Sequence, residues 1–269
     1  MITTFEAYLT TNRGLSANTV KAYGDALRSF ARYEKTINPS TRWSTVTKTQ
    51  IDDYVAYLVN ANLKPATIKQ HISALRTFYK TIMAMGMMEQ NPARYVSTPQ
   101  LGHPLPKTIE REAILKALAS TGTPAKAKAI IAIIYETGIR LSELLAMRKE
   151  DISKTDHAIR VHGKGNKERT VYYGELTRQY GNGWDFTPID PREVRRLVFE
   201  SLKPVSNAPQ LSPHALRHTF ASELINNGMS MEAISKLLGH THLETTEIYA
   251  RMSNATAKQQ YIQFHPAAA

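Results

Sequence analysis

Residues 158–172, AIRVHGKGNKERTVY, predict a β-hairpin in an otherwise helical chain. The segments 158–162 and 168–172 have the length and composition of strands, and residues 163–167 between them form a polar stretch with two glycines. Turns of this kind join antiparallel neighbours. We therefore expect a small antiparallel sheet here, with helices before and after it.

The first hundred residues have the spacing of amphipathic helices. Ser16 and Thr49 are candidate N-caps, and Pro65 suits the first turn of a helix. We expect a helical core built from apolar side chains that recur every three or four residues. They are Val20, Tyr23, Leu27 and Phe30, then Ile51, Tyr54 and Leu58, then Ile68, Ile72, Leu75, Phe78 and Ile82.

Prolines mark a boundary between two domains. Asn91-Pro92 interrupts the helical pattern, and Pro99, Pro104 and Pro106 follow. Because proline disfavours helix in the residue before it, this stretch should be extended. We predict a helical domain over residues 1–92, a linker over residues 93–107 and a second domain over residues 108–269.

The second domain is predicted to be mainly helical around the hairpin. Gly138 is a suitable helix stop, and Asp190 and Ser212 are suitable helix starts. The fold class is therefore mainly α with a small antiparallel sheet. Besides a helix that starts at Asp190, the expected helices cover about 110–119, 125–137, 212–228, 231–238, 242–251 and 254–264.

The charge of the chain suits a polyanionic partner. Its 34 Lys and Arg exceed its 23 Asp and Glu, which gives a formal net charge of +11 and a pI near 9.7. Residues 1–100 hold 12 basic and 6 acidic side chains, and the remainder hold 22 and 17. An excess in both parts favours a partner rich in phosphates, either nucleic acid or an anionic membrane, and we expect both domains to contact it.

Other features of the composition exclude several classes of protein. Without cysteine, the chain can have no disulfide, no thiol catalysis and no Cys-based zinc or iron–sulfur site. The longest apolar run, residues 129–135, is seven residues, whereas a membrane span needs about 20. The first residues also lack a signal-peptide pattern. We expect no membrane association and a cytoplasmic, nucleoid-associated location.

Four clusters in the second domain carry side chains suited to chemistry. Taken singly, each has a structural explanation, such as a paired arginine or a solvated lysine in a turn. The clusters are TGIRLSEL at 137–144, GKGNKER at 163–169, HALRHTFA at 214–221, and LGH at 238–240 with Tyr249.

A metal site is one interpretation of the histidines. His214 and His218 lie four residues apart on a predicted helix, and His240 and His242 follow later. Arg217 opposes this interpretation, because it would place a permanent cation on the same helix face. The HExxH pattern is also absent. We expect no metal here.

Together, the clusters suit phosphoryl transfer on a phosphodiester. Arginine side chains match the non-bridging oxygens of a phosphate and stabilise the charge of its transition state. A lysine on the hairpin can give a proton to a leaving oxygen, and a tyrosine can act as a covalent nucleophile. This set of residues requires no metal.

With these four motifs, the chain resembles the tyrosine recombinases of the phage-integrase and Xer-type family from about residue 3 to residue 265. LSANT at 15–19 with Tyr23, and LRTFY at 75–79, resemble the family's core-binding domain. The resemblance implies two domains, a helical core-binding (SAM-like) domain and an α+β catalytic domain. The chain departs from the family between Tyr173 and Asp190, where relatives have an additional helix and this chain has a short stretch with Gly181, Gly183 and Trp184.

The resemblance implies roles for the residues around the phosphate. Arg140 and Arg217 would clamp the scissile phosphate, and His240 would form a hydrogen bond to it. Lys164 would protonate the 5′-hydroxyl leaving group, with Lys167 as the alternative.

The nucleophile and the proton-transfer groups follow from the same resemblance. Tyr249 would attack the phosphate and form a 3′-phosphotyrosyl bond, and His214 would assist proton transfer. Glu143, one helical turn from Arg140, would orient its neighbours. The resemblance implies no cofactor.

The implied partner is a double-stranded DNA target site, bound by a homotetramer, or by a tetramer with a related recombinase, on two duplexes. The segment after Tyr249 would dock either on a neighbouring protomer or on its own domain. Candidate phosphate contacts of the first domain, with a solvated surface as the alternative, are Lys21, Lys64, Lys69 and Arg76.

Two rival functions share these features. A non-catalytic DNA-binding protein would need a broken catalytic set, which the sequence does not have. A monomeric DNA-relaxing enzyme would share the chemistry but not exchange strands. Integration, excision and resolution of chromosome dimers remain open as the biological outcome.

Overall fold

The computed structural model describes residues 1–99, 107–163 and 168–239. The chain divides into two compact units, Met1–Gly102 and His103–Ala269. The predicted helices at 242–251 and 254–264 lie outside the described residues. The domain limits predicted at 92 and 108 remain predictions.

Helices make up the first unit. Every predicted core residue from Leu27 to Ile82 is buried, and Val20 and Tyr23 pack against this core with partial exposure. Phe5 and Leu9, from a helix that the sequence analysis missed, complete the core. The helices are α1 (Ile2–Thr11), α2 (Ala17–Ile37), α3 (Lys48–Asn60) and α4 (Pro65–Ala84).

Two of the three residues predicted to start helices in the first unit are confirmed. Ser16 caps α2, accepting a hydrogen bond from Thr19 N at 3.3 Å, and Pro65 is the first residue of α4. The prediction of Thr49 as an N-cap is wrong, because Thr47 caps α3. Thr47 and Gln50 form a capping box that satisfies two backbone N–H groups at once, whereas Thr49 lies inside the helix.

The start of the predicted linker packs into the first unit. Ala93 and Val96 are buried in its core. Arg76 holds them, donating from Nε to Ala93 O at 3.2 Å and from Nη2 to Val96 O. The guanidinium predicted to contact DNA therefore binds the protein's own backbone, because these carbonyls are within its reach after the chain turns back at Asn91.

The second unit combines helices with a three-stranded antiparallel sheet of order β1-β2-β3. Ala158 is opposite Tyr172 and His162 is opposite Glu168, so the predicted hairpin is present with the predicted strand limits. The elements are α5 (Arg111–Ala119), α6 (Ala125–Thr137), α7 (Leu141–Ala146), β1 (Ile152–Ser153), β2 (Ala158–His162), β3 (Glu168–Tyr172), α8 (Glu175–Tyr180), α9 (Pro191–Leu202), α10 (Pro213–Asn226) and α11 (Met231–Leu238). The predicted fold class is confirmed.

Helix α6 is the centre of the second unit. Residues 129–135 are buried on every side of the helix, with α5, α8, α9 and α10 packed around it. The seven-residue apolar run is thus a core helix surrounded by protein. In the described parts of the chain, no helix has the length and hydropathy that a membrane span requires.

The expectation of a short stretch without a helix between Tyr173 and Asp190 is wrong, because helix α8 lies there. Glu136 of α6 accepts hydrogen bonds from the N–H groups of Gly174 (2.9 Å), Leu176 (3.1 Å) and Thr177 (2.9 Å) at the start of α8. A distant carboxylate therefore replaces the local N-cap. Local sequence signals could not reveal this helix, since its cap comes from another element.

Candidate active site

Arg140 and Glu143 meet at the junction of α6 and α7. Gly138 ends α6 with a left-handed φ of 63°, and a Cβ at this position would lie 2.3 Å from Phe220 Cδ1, so only glycine fits. Arg140 then caps α7. Its N–H donates to Glu143 Oε2 at 2.7 Å and its Nη1 donates to Glu143 Oε1 at 2.9 Å. The Arg140 side chain keeps 40% of its surface exposed, so it remains accessible to a ligand.

Arg217 lies beside this junction on α10. Ser212 caps α10 by accepting from Ala215 N at 3.2 Å, as predicted. Arg217 is only 5% exposed, and it donates from Nη1 to Gly138 O and from Nη2 to Leu238 O at 2.7 Å. It therefore joins the end of α6 to the end of α11.

His214 and His218 form a pair one turn apart on α10. Their Nε2 atoms lie 2.9 Å apart, so one ring donates a hydrogen bond to the other. Burial of the His214 ring lowers its pKa, and the positive charges of Arg217 and Arg140 lower it further, although the residue keeps contact with solvent. A lowered pKa favours the neutral form of His214, which can accept a proton.

Three arginines converge on the last carbonyls of α11, those of residues 237–239. Arg169 Nε donates to the first at 2.7 Å, Arg217 Nη2 to the second at 2.7 Å, and Arg140 Nη2 to the third at 3.1 Å. Carbonyls at a helix C-terminus lack partners within the helix and carry its partial negative charge, so cations stabilise them. The arrangement fixes the point from which the chain continues to residue 240.

Arg169 is the site residue that the sequence analysis missed. Its side chain is 12% exposed and forms a two-pronged ion pair with Glu143, Nη1 to Oε1 and Nη2 to Oε2, both at 2.8 Å. A signal was available, because Arg169 is two residues from buried Val171 and so points to the same, inward face of β3. An arginine on an inward face needs a buried partner.

Glu143 is ionised by its arginine neighbours. Burial by itself would raise the pKa of this carboxyl. Hydrogen bonds and charge from Arg169, with further hydrogen bonds from the Arg140 backbone and side chain, reverse that effect and bring the pKa down to about 2. The site therefore holds a permanent carboxylate between two permanent cations.

The base of the hairpin is held by a histidine between two carboxylates. His162 Nε2 lies 2.9 Å from Asp151 Oδ1, and His162 Nδ1 lies 3.1 Å from Glu168 Oε1. These contacts fix the end of β2 and the start of β3. Lys164 and Lys167 of the turn lie outside the described residues, as do His240 and Tyr249, so their predicted roles remain predictions.

The other candidates divide between exposed and engaged side chains. Lys21, Lys64 and Lys69 are exposed on or next to α2 and α4, whereas Arg76 is engaged as described above. Among the described residues, no group of three or more His, Asp or Glu side chains could hold a metal ion.

Comparison with known proteins gives the family. The profile of the phage integrase N-terminal SAM-like domain matches residues 2–86, and that of the phage integrase family matches residues 107–184 and 185–256. The chain belongs to the phage integrase family. One relative of this chain is tyrosine recombinase XerC of Staphylococcus haemolyticus, 33% identical over 98% of this chain and 96% of that one. Another is tyrosine recombinase XerD of Listeria monocytogenes, 30% identical over 100% of this chain and 99% of that one.

Solved structures share the fold of this chain. The XerH site-specific recombinase bound to palindromic difH substrate matches with a TM-score of 0.75 and 18% identity over 97% of this chain and 84% of that one. The Tn1549 transposon integrase in complex with transposon right end DNA matches with a TM-score of 0.74 and 19% identity over 97% and 98%. The predicted family and the predicted class of enzyme, a tyrosine-type site-specific recombinase, are confirmed.

Proposed function

We propose that this protein cuts and rejoins DNA at a specific site through a 3′-phosphotyrosyl bond to Tyr249. The observation that carries the proposal is the convergence of Arg140, Arg217 and the Arg169–Glu143 pair at residues 237–239. This cluster stands directly before His240 and ten residues before Tyr249.

The two arginines of the motif act on the phosphate. Arg140, with its partly exposed side chain, binds a non-bridging oxygen of the phosphate. Arg217 is buried and adds positive charge to the site. Attack on the phosphate concentrates negative charge on these oxygens, and fixed guanidinium groups stabilise it without reorganisation. Glu143 keeps Arg140 in place, while Arg169 offsets the carboxylate charge and leaves the site net positive.

In the transfer step, residues of this chain accept and supply each proton. The Tyr249 hydroxyl loses its proton to a base, for which neutral His214 is the candidate, and the phenolate oxygen bonds to phosphorus. The bond from phosphorus to the 5′-oxygen breaks, and Lys164 supplies a proton to that oxygen. Rejoining is the reverse, with a 5′-hydroxyl attacking the phosphotyrosine.

Double-stranded DNA is the proposed partner. Support comes from the net charge of +11 and from the DNA named in the structures of the XerH recombinase and the Tn1549 integrase. We further propose that four copies of the chain assemble on two duplexes, and that the C-terminal segment docks on a neighbouring protomer. The first domain contacts DNA through Lys21, Lys64 and Lys69. The proposed location is cytoplasmic and nucleoid-associated.

Tyr249→Phe tests the nucleophile. The change removes one oxygen and keeps the ring, so folding and DNA binding should survive. Covalent protein–DNA adduct on a nicked suicide substrate should disappear. Tyr172→Phe, at an exposed tyrosine of β3, is the matched control and should form adduct at the normal level. If Tyr249→Phe still forms adduct, another tyrosine attacks and the assignment is wrong.

Strand exchange distinguishes the proposal from a DNA-relaxing enzyme with the same chemistry. Two duplexes with different end labels should yield recombinant strands that carry one label from each. An enzyme that forms the adduct and relaxes supercoils without producing these strands would contradict the recombinase function and leave the phosphotyrosine chemistry standing.

A further inference from the structure

A cavity of about 510 Å³ lies in the second unit, at the end of the sheet away from the hairpin turn. Its walls come from α6, β1, β2, α8 and the loop at residues 181–186. Ile133 and Ile159 are buried in its floor, and the rings of Tyr173, Trp184 and Phe186 line it. This volume is that of a small-molecule site, and none of the described active-site residues lines it.

Two buried polar atoms in this cavity wall are unsatisfied. Trp184 is 4% exposed and Thr177 is 8% exposed. Within the residues that the structure describes, neither Trp184 Nε1 nor Thr177 Oγ1 has a hydrogen-bond partner. Buried polar groups are almost always paired, and both atoms are closed to solvent here, so a ligand would bond to them only as the wall opens around it. The indole N–H only donates, so the ligand must offer an acceptor.

The rim of the cavity is cationic. Lys149, Lys154 and Arg178 line it and are exposed, and none of them forms an ion pair with another described residue. No acidic side chain is among its described lining residues. A buried aromatic wall with an indole donor, below a rim of positive charge, is complementary to a flat apolar molecule with an anionic group.

We propose that this cavity binds a small aromatic carboxylate. The ring lies between Tyr173, Trp184 and Phe186, and the carboxylate faces the lysines and Arg178. The site is independent of the recombinase chemistry, because it uses none of the residues assigned to DNA cleavage.

The probe is 2-naphthoate, and the reporter is the indole N–H signal in ¹H–¹⁵N spectra of the full chain. The protein has two tryptophans, and a Trp43→Phe variant assigns the remaining signal to Trp184. We expect 2-naphthoate to shift the Trp184 signal saturably, with a Kd of about 1 mM or below, which is the level that small-molecule ligand efficiencies support. The Trp43 signal, from the other unit, should stay in place.

Variants test the orientation. Arg178→Ala should weaken binding by about tenfold, as expected for loss of one charge-assisted contact. Arg195→Ala, at an exposed arginine of α9 outside the cavity, is the control and should bind like the parent. The neutral analogue 2-acetylnaphthalene should bind more weakly than 2-naphthoate. No shift of the Trp184 signal, equal shifts of both tryptophans, or equal affinities of the Arg178 and Arg195 variants would overturn the proposal.

Discussion

Glu143 connects two arginines of the candidate site, Arg140 and Arg169, through one carboxylate. It accepts hydrogen bonds from the Arg140 backbone, the Arg140 side chain and the Arg169 side chain, all between 2.7 and 2.9 Å. Each carboxylate oxygen is therefore shared between two donors. Loss of the negative charge would leave two arginines close together, one of them buried.

Glu143→Gln should lower the free energy of unfolding and change its pH dependence. The pKa of Glu143 falls from 4.5 to about 2 on folding, so its contribution is fully present above pH 4.5 and is lost as the pH falls through 2. At pH 7 that contribution is on the order of 3 kcal/mol. In urea unfolding at pH 7, the variant should have a clearly lower free energy of unfolding than the parent. The difference between the two should become smaller as the pH is lowered to 2.5.

Glu193→Gln is the control for this prediction. Glu193 is paired with Arg196 on the exposed face of α9, where an ion pair adds little to stability. The control should follow the parent at each pH. If Glu143→Gln lowers the free energy of unfolding by the same amount from pH 7 to pH 2.5, the carboxylate charge is not what stabilises the site.

Replacing Arg140 should impair DNA cleavage, whereas replacing Arg217 should impair both DNA cleavage and stability. Arg140→Ala should reduce DNA cleavage by about 10² to 10³ while leaving DNA affinity nearly unchanged, since one phosphate contact among many is lost. Arg217→Ala should reduce cleavage as well and also cost ~2–4 kcal/mol of stability, because two carbonyls lose a buried donor. Cleavage, filter binding and urea unfolding of both variants measure the difference. Equal losses of binding and cleavage in Arg140→Ala would give Arg140 a structural role.

At the scale of elements, the C-terminus of α11 is held by side chains from α7, α10 and β3. Gly239 ends the helix with a left-handed φ of 64°, and a Cβ here would lie 2.9 Å from Arg169 Nη1. Arg169 cannot move aside without breaking its bonds to Glu143 and Leu237 O. The helix end and the arginine cluster are therefore mutually dependent.

Gly239→Ala should destabilise the protein more than Gly228→Ala. Both glycines have a positive φ, which costs alanine about 1–2 kcal/mol. At Gly228 none of the residues that the structure describes lies within 4 Å of a new Cβ, whereas at Gly239 the Cβ meets Arg169. We expect a further loss of about 1–2 kcal/mol at Gly239 in urea unfolding, of the size that overpacking produces. Equal losses of stability in the two variants would show that the Arg169 side chain can move aside without cost.

At the scale of the whole molecule, positive charge is the main feature that bears on partners. If both units contact DNA, affinity should fall by at least about 100-fold between 50 and 200 mM salt, because each neutralised phosphate releases counterions. Lys21→Ala should reduce the slope of log K against log salt by about one. Lys126→Ala, whose ammonium pairs with Asp185 at 2.9 Å, should leave that slope unchanged. An affinity that is flat over this salt range would contradict the DNA clamp.

The amino-acid sequence by itself determined the features that depend on neighbours along the chain. The helices of the first unit follow from apolar spacing, and the hairpin follows from two short strands around a glycine turn. Ser16, Asp190 and Ser212 cap helices as predicted, because an N-cap binds a backbone N–H only two or three residues away. The family motifs also gave Arg140, Arg217 and Glu143 of the candidate site.

Only the tertiary structure decided the features that depend on distant residues. Helix α8 begins where Glu136 supplies its cap, Arg76 turns inward to the carbonyls of residues 93 and 96, and Arg169 joins Glu143 to the end of α11. In each case a charged side chain binds groups from 17 to 68 residues away in the sequence. Such partners meet only after the cores have packed, because burial then removes the water that would otherwise satisfy them.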